Sequence, residues 1–128
     1  MFTSWPGVLD VFDEPSKYYI VTDFMGGGDL LTKVEELTSL DEKTARGVCK
    51  SLLSAVNYLH ARPLPIAHRD IKMENILLAS SSSEKGDSSP INPDSLRLAD
   101  FGFSKEEASP NSLTTMRGTQ GKPWYYIA

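Results

Sequence analysis

Four short clusters of hydrophobic residues in this chain have the length and composition of β-strands. Val8–Phe12 and Tyr18–Thr22 are rich in β-forming residues, and the Asp-Glu-Pro-Ser run between them is typical of a turn. These two segments predict a β-hairpin. Ile76–Leu78 and Leu96–Leu98 predict two further strands nearer the C-terminus.

Two helices are predicted between those pairs of strands. Glycines at residues 26–28 interrupt the strand pattern, and Asp29 can then cap a short helix that ends near Leu37. The second helix is predicted from Leu40 to His60 because apolar residues recur there at helical spacing: Ala45, Val48, Cys49, Leu52, Val56 and Leu59.

The start of the second helix carries a capping signal. Ser39 and Glu42 have the form of a capping box, in which the hydroxyl at the cap and a glutamate three residues later satisfy backbone N–H groups. Pro63 and Pro65 follow the helix and end it. Ser39 is therefore the predicted N-cap.

Two polar stretches separate or follow the predicted elements. Residues 79–95 are rich in serine and poor in hydrophobic side chains, which predicts a flexible loop. Residues 103–123 are again polar and irregular. Because strands and helices are segregated along the chain, the pattern indicates an α+β fold.

Composition and charge narrow the class of function. The 128 residues suit one domain, and 40% hydrophobic and 23% charged residues are ordinary for a soluble globular protein. The net charge of −4 argues against a partner that is nucleic acid or a membrane surface. Cys49 is the only cysteine, and the N-terminus lacks the pattern of a secretory signal. We therefore expect a cytoplasmic protein, with the nucleus as the other intracellular location left open.

Two motifs hold polar side chains of the kind that phosphoryl transfer uses. They are the runs His-Arg-Asp-Ile-Lys-Met-Glu-Asn at residues 68–75 and Asp-Phe-Gly at residues 100–102. Asp70 can orient an attacking hydroxyl and accept its proton, and the Lys72 ammonium can neutralise charge on a phosphoryl group. Asn75 and Asp100 supply oxygen atoms of the type that Mg²⁺ binds.

In this order, the two motifs resemble the catalytic loop and the metal-binding segment of eukaryotic protein kinases. The resemblance implies that the chain transfers the γ-phosphoryl group of ATP to serine or threonine hydroxyls of a protein substrate. It implies that Asp70 is the base, that Lys72 stabilises charge, and that Asn75 and Asp100 bind Mg²⁺. Lys72, two residues after the aspartate, is typical of serine/threonine kinases in this family, and short runs resemble its calcium/calmodulin-dependent group.

The resemblance also implies how the chain divides. It predicts a partial protein kinase domain over residues 1–128, truncated at both ends. Its predicted parts are the last small-lobe strands and hinge at 1–25, the start of the large lobe at 26–128, the serine-rich insertion at 79–95, and the activation segment, cut at its end, at 100–128.

The segment around the second predicted strand resembles the kinase hinge. By that resemblance, Thr22 is the gatekeeper residue behind the adenine, and the backbone of Asp23 and Met25 bonds the adenine edge. Asp29 would reach the ribose, and Leu77 would form the floor under the ring.

The family also suggests a regulatory site. The histidine matching His68 and the phenylalanine matching Phe101 form part of a hydrophobic stack in protein kinases. The arginine matching Arg69 commonly pairs with a phosphorylated residue of the activation segment. Thr115 is the best match for that residue, with Thr114 and Ser112 as alternatives, so an activating kinase is an expected partner.

The sequence departs from the family pattern and leaves other functions open. It contains no glycine-rich phosphate loop, no strand lysine of the Val-Ala-Ile-Lys type and no helix glutamate to pair with it. A kinase-like interaction module without catalysis is therefore an alternative, and a small-molecule kinase of related fold is another. We also expect the long helix to lack partners for Val48, Leu52, Val56 and Leu59, which would favour aggregation.

Overall fold

The computed structural model describes residues 4–79 and 91–106, and these form the α+β fold that the sequence predicts. Its helices are α1 (Leu30–Leu37) and α2 (Glu42–His60). Its strands are β1 (Val8–Glu14), β2 (Lys17–Thr22), β3 (Ile66–Ala67), β4 (Ile76–Leu78), β5 (Leu96–Leu98) and β6 (Lys105–Glu106). The part of the serine-rich insertion at 80–90 and the predicted regulatory site at Thr115 lie outside the described residues.

Strands β1 and β2 form the predicted antiparallel hairpin. Their register places Val11 opposite Ile20 and Phe12 opposite Tyr19, and the turn between the strands is the dipeptide Pro15–Ser16. Every residue of both strands is exposed. Within the described ranges, β1 and β2 pair only with each other, so neither edge of this sheet is paired with a third strand there.

The helix caps are aspartates in both cases. The Asp29 carboxylate accepts from the Thr32 backbone N–H at 2.9 Å, so the predicted cap of α1 is confirmed. The predicted Ser39 cap of α2 is wrong, because Asp41 takes that position and accepts from the Thr44 N–H at 2.9 Å. Asp41 also accepts from the Thr44 hydroxyl, and this doubly bonded carboxylate starts the helix two residues later than the serine would.

The core lies where α1 and α2 pack against the antiparallel pair β4–β5. Its buried hydrophobic residues are Leu30, Val48, Leu59, Ile76, Leu78, Ile91, Leu96 and Leu98. Val48, Val56 and Leu59 on α2 are thus buried, so the expected loss of partners is wrong for them. Among the described residues, the large hydrophobic side chains that are exposed lie mainly on the hairpin β1–β2. Neither helix within the described ranges combines the length and the apolar character that a membrane-spanning segment requires.

A third antiparallel pair, β3–β6, is not predicted by the sequence pattern. Ala67 lies opposite Lys105, and Ile66 lies opposite Glu106. Each strand has only two residues, which is too short for a recognisable alternation. The pair matters for the site because β3 directly precedes the motif at 68–75 and β6 follows the motif at 100–102. Pairing of the two strands therefore holds the two motifs near each other.

Candidate functional site

The segment at residues 68–75 joins β3 to β4 and brings three of the predicted site residues into direct contact. The Lys72 ammonium lies 2.9 Å from Oδ2 of Asp70. The Asn75 amide nitrogen donates to the same oxygen at 3.0 Å and to the Asp70 carbonyl at 2.9 Å. Asp70 and Asn75 are each only 7% exposed, so this carboxylate is held by an ammonium and an amide away from bulk water.

His68 connects this segment to the residue before Asp100. Its Nε2 lies 3.0 Å from the Ala99 carbonyl oxygen, and its Nδ1 lies 3.3 Å from the Asp70 backbone nitrogen. The Ala99 N–H donates to the Asn75 carbonyl at 2.8 Å. The residue before Asp100 is therefore bonded to the loop that carries Asp70 and Asn75. In sequence, β4, the serine-rich insertion and β5 separate the two motifs.

The two charged groups of the site differ in their surroundings. The hydrogen bond with Asp70 raises the pKa of the Lys72 ammonium, and the charges of Asp70, Glu74 and Asp100 act in the same direction. Burial lowers the pKa of the His68 imidazole, although its bond to Ala99 opposes this. At neutral pH, Lys72 is consequently a cation and His68 is uncharged.

Three described non-glycine residues have a positive φ, and two of them lie in the motifs at 68–75 and 100–102. Arg69 has φ of 66° and Asp100 has φ of 60°. Such values are costly for residues with a Cβ, and they persist where surrounding contacts hold them. Arg69 is held by a bond from its Nε to the Phe103 carbonyl at 2.6 Å, and the Asp100 carboxylate accepts from the Gly102 N–H at 3.1 Å.

Asp23 and Met25, the predicted adenine contacts, lie in the connection between β2 and α1. The Asp23 N–H donates to the Gly7 carbonyl at 2.9 Å, and its carboxylate accepts from the Gly7 N–H at 2.8 Å. Within the part of the chain that the structure describes, its carbonyl accepts one hydrogen bond, from the Thr22 hydroxyl at 3.3 Å. Among the described residues, the Met25 N–H has no acceptor. One backbone acceptor and one backbone donor of this connection thus have hydrogen-bonding capacity that the described residues do not use.

Asp29 and Leu77 lie next to each other. They form an isolated antiparallel bridge, and the neighbouring Gly28 carbonyl accepts from the Leu78 N–H at 2.9 Å. Hydrogen bonds from Thr32 lower the pKa of the Asp29 carboxyl, so it is ionised at neutral pH. Because Leu77 is two residues after Asn75, β4 links this pair to the cluster around Asp70.

Asn75 and Asp100 are the two residues that the sequence predicts to bind magnesium. The Asn75 amide nitrogen makes both of its donations to Asp70, and its buried oxygen accepts no hydrogen bond from the described residues. One oxygen of Asp100 accepts from Gly102, and the other has no such donor there. No cluster of three or more His, Cys, Asp or Glu residues exists in the described ranges. Magnesium needs only one or two protein ligands when phosphates and waters complete its shell, so the chemistry of these two oxygen donors is compatible with magnesium.

The sequence patterns missed an aromatic contact at this site. The Trp5 ring lies 6.5 Å from the Phe101 ring, which in turn lies 4.8 Å from the His68 ring. An isolated tryptophan before a proline carries no periodic signal, and its separation from Phe101 in sequence hides the contact. The expected proximity of His68 and Phe101 is present in the structure.

Comparison with known families gives one match over almost the whole chain. A family model described as "Protein kinase domain" matches residues 7–127. This range includes the hairpin, both helices and both motifs.

Individual relatives are similar over most of the chain. Ribosomal protein S6 kinase alpha-3 of mouse and of human is 38% identical over 104 residues, which is 81% of this chain. Myosin light chain kinase A of Dictyostelium discoideum is 38% identical over 110 residues, which is 86% of this chain. The matched part is 13% of the S6 kinases and 34% of the myosin light chain kinase, so the chain spans a small part of these relatives.

Proposed function

The chain belongs to the protein kinase family, and on that premise we propose that it transfers the γ-phosphoryl group of ATP to serine or threonine hydroxyls of a protein substrate. The observation that carries this proposal is the Asp70 carboxylate, 7% exposed and held by the Lys72 ammonium and the Asn75 amide. A pure scaffold has no chemical need for a buried carboxylate fixed in this way.

In the proposed reaction, Asp70 orients the substrate hydroxyl and accepts its proton. The contacts with Lys72 and Asn75 fix the plane of the carboxylate before substrate binds. Lys72 carries its charge beside the same oxygen and reduces the negative charge that accumulates on the transferred group. The Lys72 position two residues after Asp70 supports a serine or threonine acceptor. The names of the relatives refer to ribosomal protein S6 and to myosin light chain, which supports a protein substrate.

We propose Asn75 and Asp100 as the residues that hold magnesium. The buried Asn75 oxygen without a described donor is the best support for this assignment. Bound magnesium supplies positive charge against the phosphate oxygens. The two protein oxygens fix where that charge lies relative to Asp70.

The proposed nucleotide site uses the connection between β2 and α1. The Asp23 carbonyl and the Met25 N–H offer an acceptor and a donor to the adenine edge. Leu77 supplies an apolar surface beneath the ring. Asp29 is ionised, and each of its oxygens retains a lone pair for the ribose hydroxyls after accepting from Thr32.

Two further expectations from the sequence stay predictions. One is that an activating kinase phosphorylates Thr115, and the other is that the protein lies in the cytoplasm or the nucleus. Nothing in the described residues tests them.

A phosphotransfer assay tests the proposal directly. The purified chain is incubated with γ-labelled ATP, magnesium and a mixture of protein substrates, and label on serine and threonine is measured. We expect Asp70→Asn and Asp100→Ala each to lower the rate by about 10²-fold or more, since each removes a group that acts on the reacting atoms. Asp13→Asn, an exposed aspartate on β1, is the matched control and should leave the rate unchanged.

Other outcomes of this assay contradict the proposal. Transfer to a small-molecule acceptor with none to protein would indicate a small-molecule kinase. No magnesium-dependent transfer by the wild type, combined with partner binding that Asp100→Ala leaves unchanged, would indicate an interaction module.

A further inference from the structure

Trp5 lies outside both motifs but contacts the aromatic residue of the second. Its ring is 6.5 Å from the Phe101 ring at an interplanar angle of 87°, an edge-to-face arrangement. The His68 ring contacts the same phenylalanine at 4.8 Å. Both separations are those of favourable aromatic pairs. Phe101 is therefore packed by one ring from the loop at 68–75 and by another from the N-terminal segment.

The position of Trp5 is itself fixed by two elements of the core. The ring of Tyr58 on α2 lies 5.0 Å from the Trp5 ring. The carbonyl of Ser4 accepts from the Leu98 N–H of β5 at 2.8 Å. Trp5 is partly buried and packs against the hydrophobic core. Contacts with α2, β5 and the core thus hold this indole against Phe101.

Asp100 depends on its neighbours because its own conformation is unfavourable. It has φ of 60°, and its carboxylate is exposed with Gly102 N–H as its donor among the described residues. On one side, Ala99 is held by bonds to Asn75 and His68. On the other side, the Phe101 ring is held by His68 and Trp5. A strained residue keeps its geometry when both flanks are held in this way.

We propose that Trp5 is a positioning residue for Asp100 and acts through Phe101. The inference rests on the proposed function, in which Asp100 binds magnesium. Without the indole, Phe101 loses one of the two ring contacts that it makes among the described residues, and the turn at 100–102 is less restrained. Asp100 then spends less time where it can share a metal ion with Asn75.

The first test measures the turn without any nucleotide. Amide hydrogen exchange of Gly102 is followed by NMR in the full chain, relative to amides of α2. We expect exchange about tenfold faster in Trp5→Leu, because local opening of the turn becomes easier. Trp5→Phe keeps a ring and should recover most of the protection. Trp5→Met replaces Trp5→Leu if the leucine variant does not fold.

A matched control separates positioning from general loss of stability. Val56→Ala removes buried volume from α2 without removing a ring beside Phe101. It should accelerate exchange in α2 and at Gly102 in the same proportion. An equal relative effect of Trp5→Leu and Val56→Ala would overturn the inference.

The second test measures magnesium directly. Binding of a fluorescent ATP analogue is titrated with Mg²⁺ and repeated with EDTA. We expect Trp5→Leu to raise the half-maximal Mg²⁺ concentration about tenfold, because the Asp100 ligand is misplaced more of the time. Affinity in EDTA should change much less than the Mg²⁺ dependence, since Trp5 itself makes no described contact with Asp23 or Met25 and the two bonds to Asp23 come from Gly7. Unchanged Mg²⁺ dependence in Trp5→Leu would contradict the inference.

Failure of the proposed function is distinguishable from failure of this inference. A wild type that binds no nucleotide in the presence of Mg²⁺ would reject the kinase proposal. The relative exchange of Gly102 would still show whether Trp5 holds the turn.

Discussion

The His68 imidazole has to be neutral for both of its hydrogen bonds to form. The Ala99 carbonyl can only accept, so Nε2 carries the proton in the tautomer that satisfies this contact. Nδ1 then has a lone pair, and it faces the Asp70 N–H at 3.3 Å. A second proton on Nδ1 would point at that N–H. Burial, which lowers the pKa of His68, favours the same neutral form.

This arrangement predicts a pH dependence of stability. Because the native pKa of His68 lies below the ordinary value of 6.5, the unfolded state binds the proton first as pH falls. Stability is therefore complete above about pH 7 and decreases below about pH 6.5, until the native pKa is reached. We expect wild type to lose more unfolding free energy between pH 7 and 5.5 than His68→Gln, measured by urea denaturation.

The control for this measurement is His60→Gln, which removes the exposed histidine at the end of α2. It should keep the pH dependence of the wild type. Equal slopes for wild type and His68→Gln would show that another group is responsible.

At this scale, the sequence predicts best where chemistry restricts the residue type. Asp70, Lys72 and Asn75 were identified together because few side chains can replace a carboxylate, an ammonium and an amide in their proposed roles, and the structure brings them into contact. Trp5 was missed because many apolar residues can fill a core position, so its identity carries little information about its neighbours. Its contact with Phe101 exists only after β5 has folded beside the N-terminal segment.

Among the elements, α2 lies very close to the short helical turn at Pro93–Ser95, and the contact point is Gly47. A Cβ atom added there would lie 2.6 Å from Cγ of Pro93, in the short helical turn at Pro93–Ser95 before β5. The proline ring is rigid, so it cannot rotate away as a flexible side chain would. The close contact between α2 and the turn before β5 therefore depends on the absence of a side chain at residue 47.

We predict that Gly47→Ala destabilises the fold by about 1–3 kcal/mol, the usual cost of overpacking. Alanine is the better helix former by about 1 kcal/mol, so the same substitution at a site without this contact would stabilise the fold. Unfolding by urea, followed by circular dichroism, measures the change. Gly47→Ala combined with Pro93→Ala should recover most of the loss, and Ser54→Ala is a control at an exposed position of α2. A stabilised Gly47→Ala variant would refute the prediction.

The sequence predicts elements well when several signals agree within them. The periodic apolar residues of α2 and the β-forming runs of the hairpin gave the correct type and nearly the correct bounds. The start of α2 was misplaced because Ser39 and Asp41 both suit a cap. A Ser39 cap would accept from the Glu42 N–H, whereas the helix begins two residues later, where Asp41 accepts from the Thr44 N–H. The pair β3–β6 joins distant two-residue segments, so no local pattern marks it.

At the scale of the whole molecule, most of the exposed large hydrophobic side chains of residues 4–79 and 91–106 lie on the hairpin β1–β2. Val11 and Ile20 face each other on one side and are 55% and 64% exposed, whereas Phe12 and Tyr19 on the other side are 52% and 46% exposed. An isolated two-stranded sheet is only marginally stable in water and normally packs against further structure. Exposed apolar strands with unpaired edges also promote pairing between chains.

We therefore predict that the 128-residue chain self-associates through the hairpin. Sedimentation velocity over about a hundredfold range of concentration should show an average mass that rises above the 14.1 kDa monomer, because both edges and both faces offer contacts. Val11→Glu combined with Ile20→Lys should lower this association, since it removes apolar surface but keeps a favourable cross-strand pair. Leu53→Lys, at a 51% exposed position on α2, is the control and should associate like the wild type.

A different pattern would assign the association to α2. If Leu53→Lys abolished association and the hairpin variant did not, the long helix would be the associating surface, as the sequence alone suggested. A wild type that stays monomeric throughout would contradict both assignments.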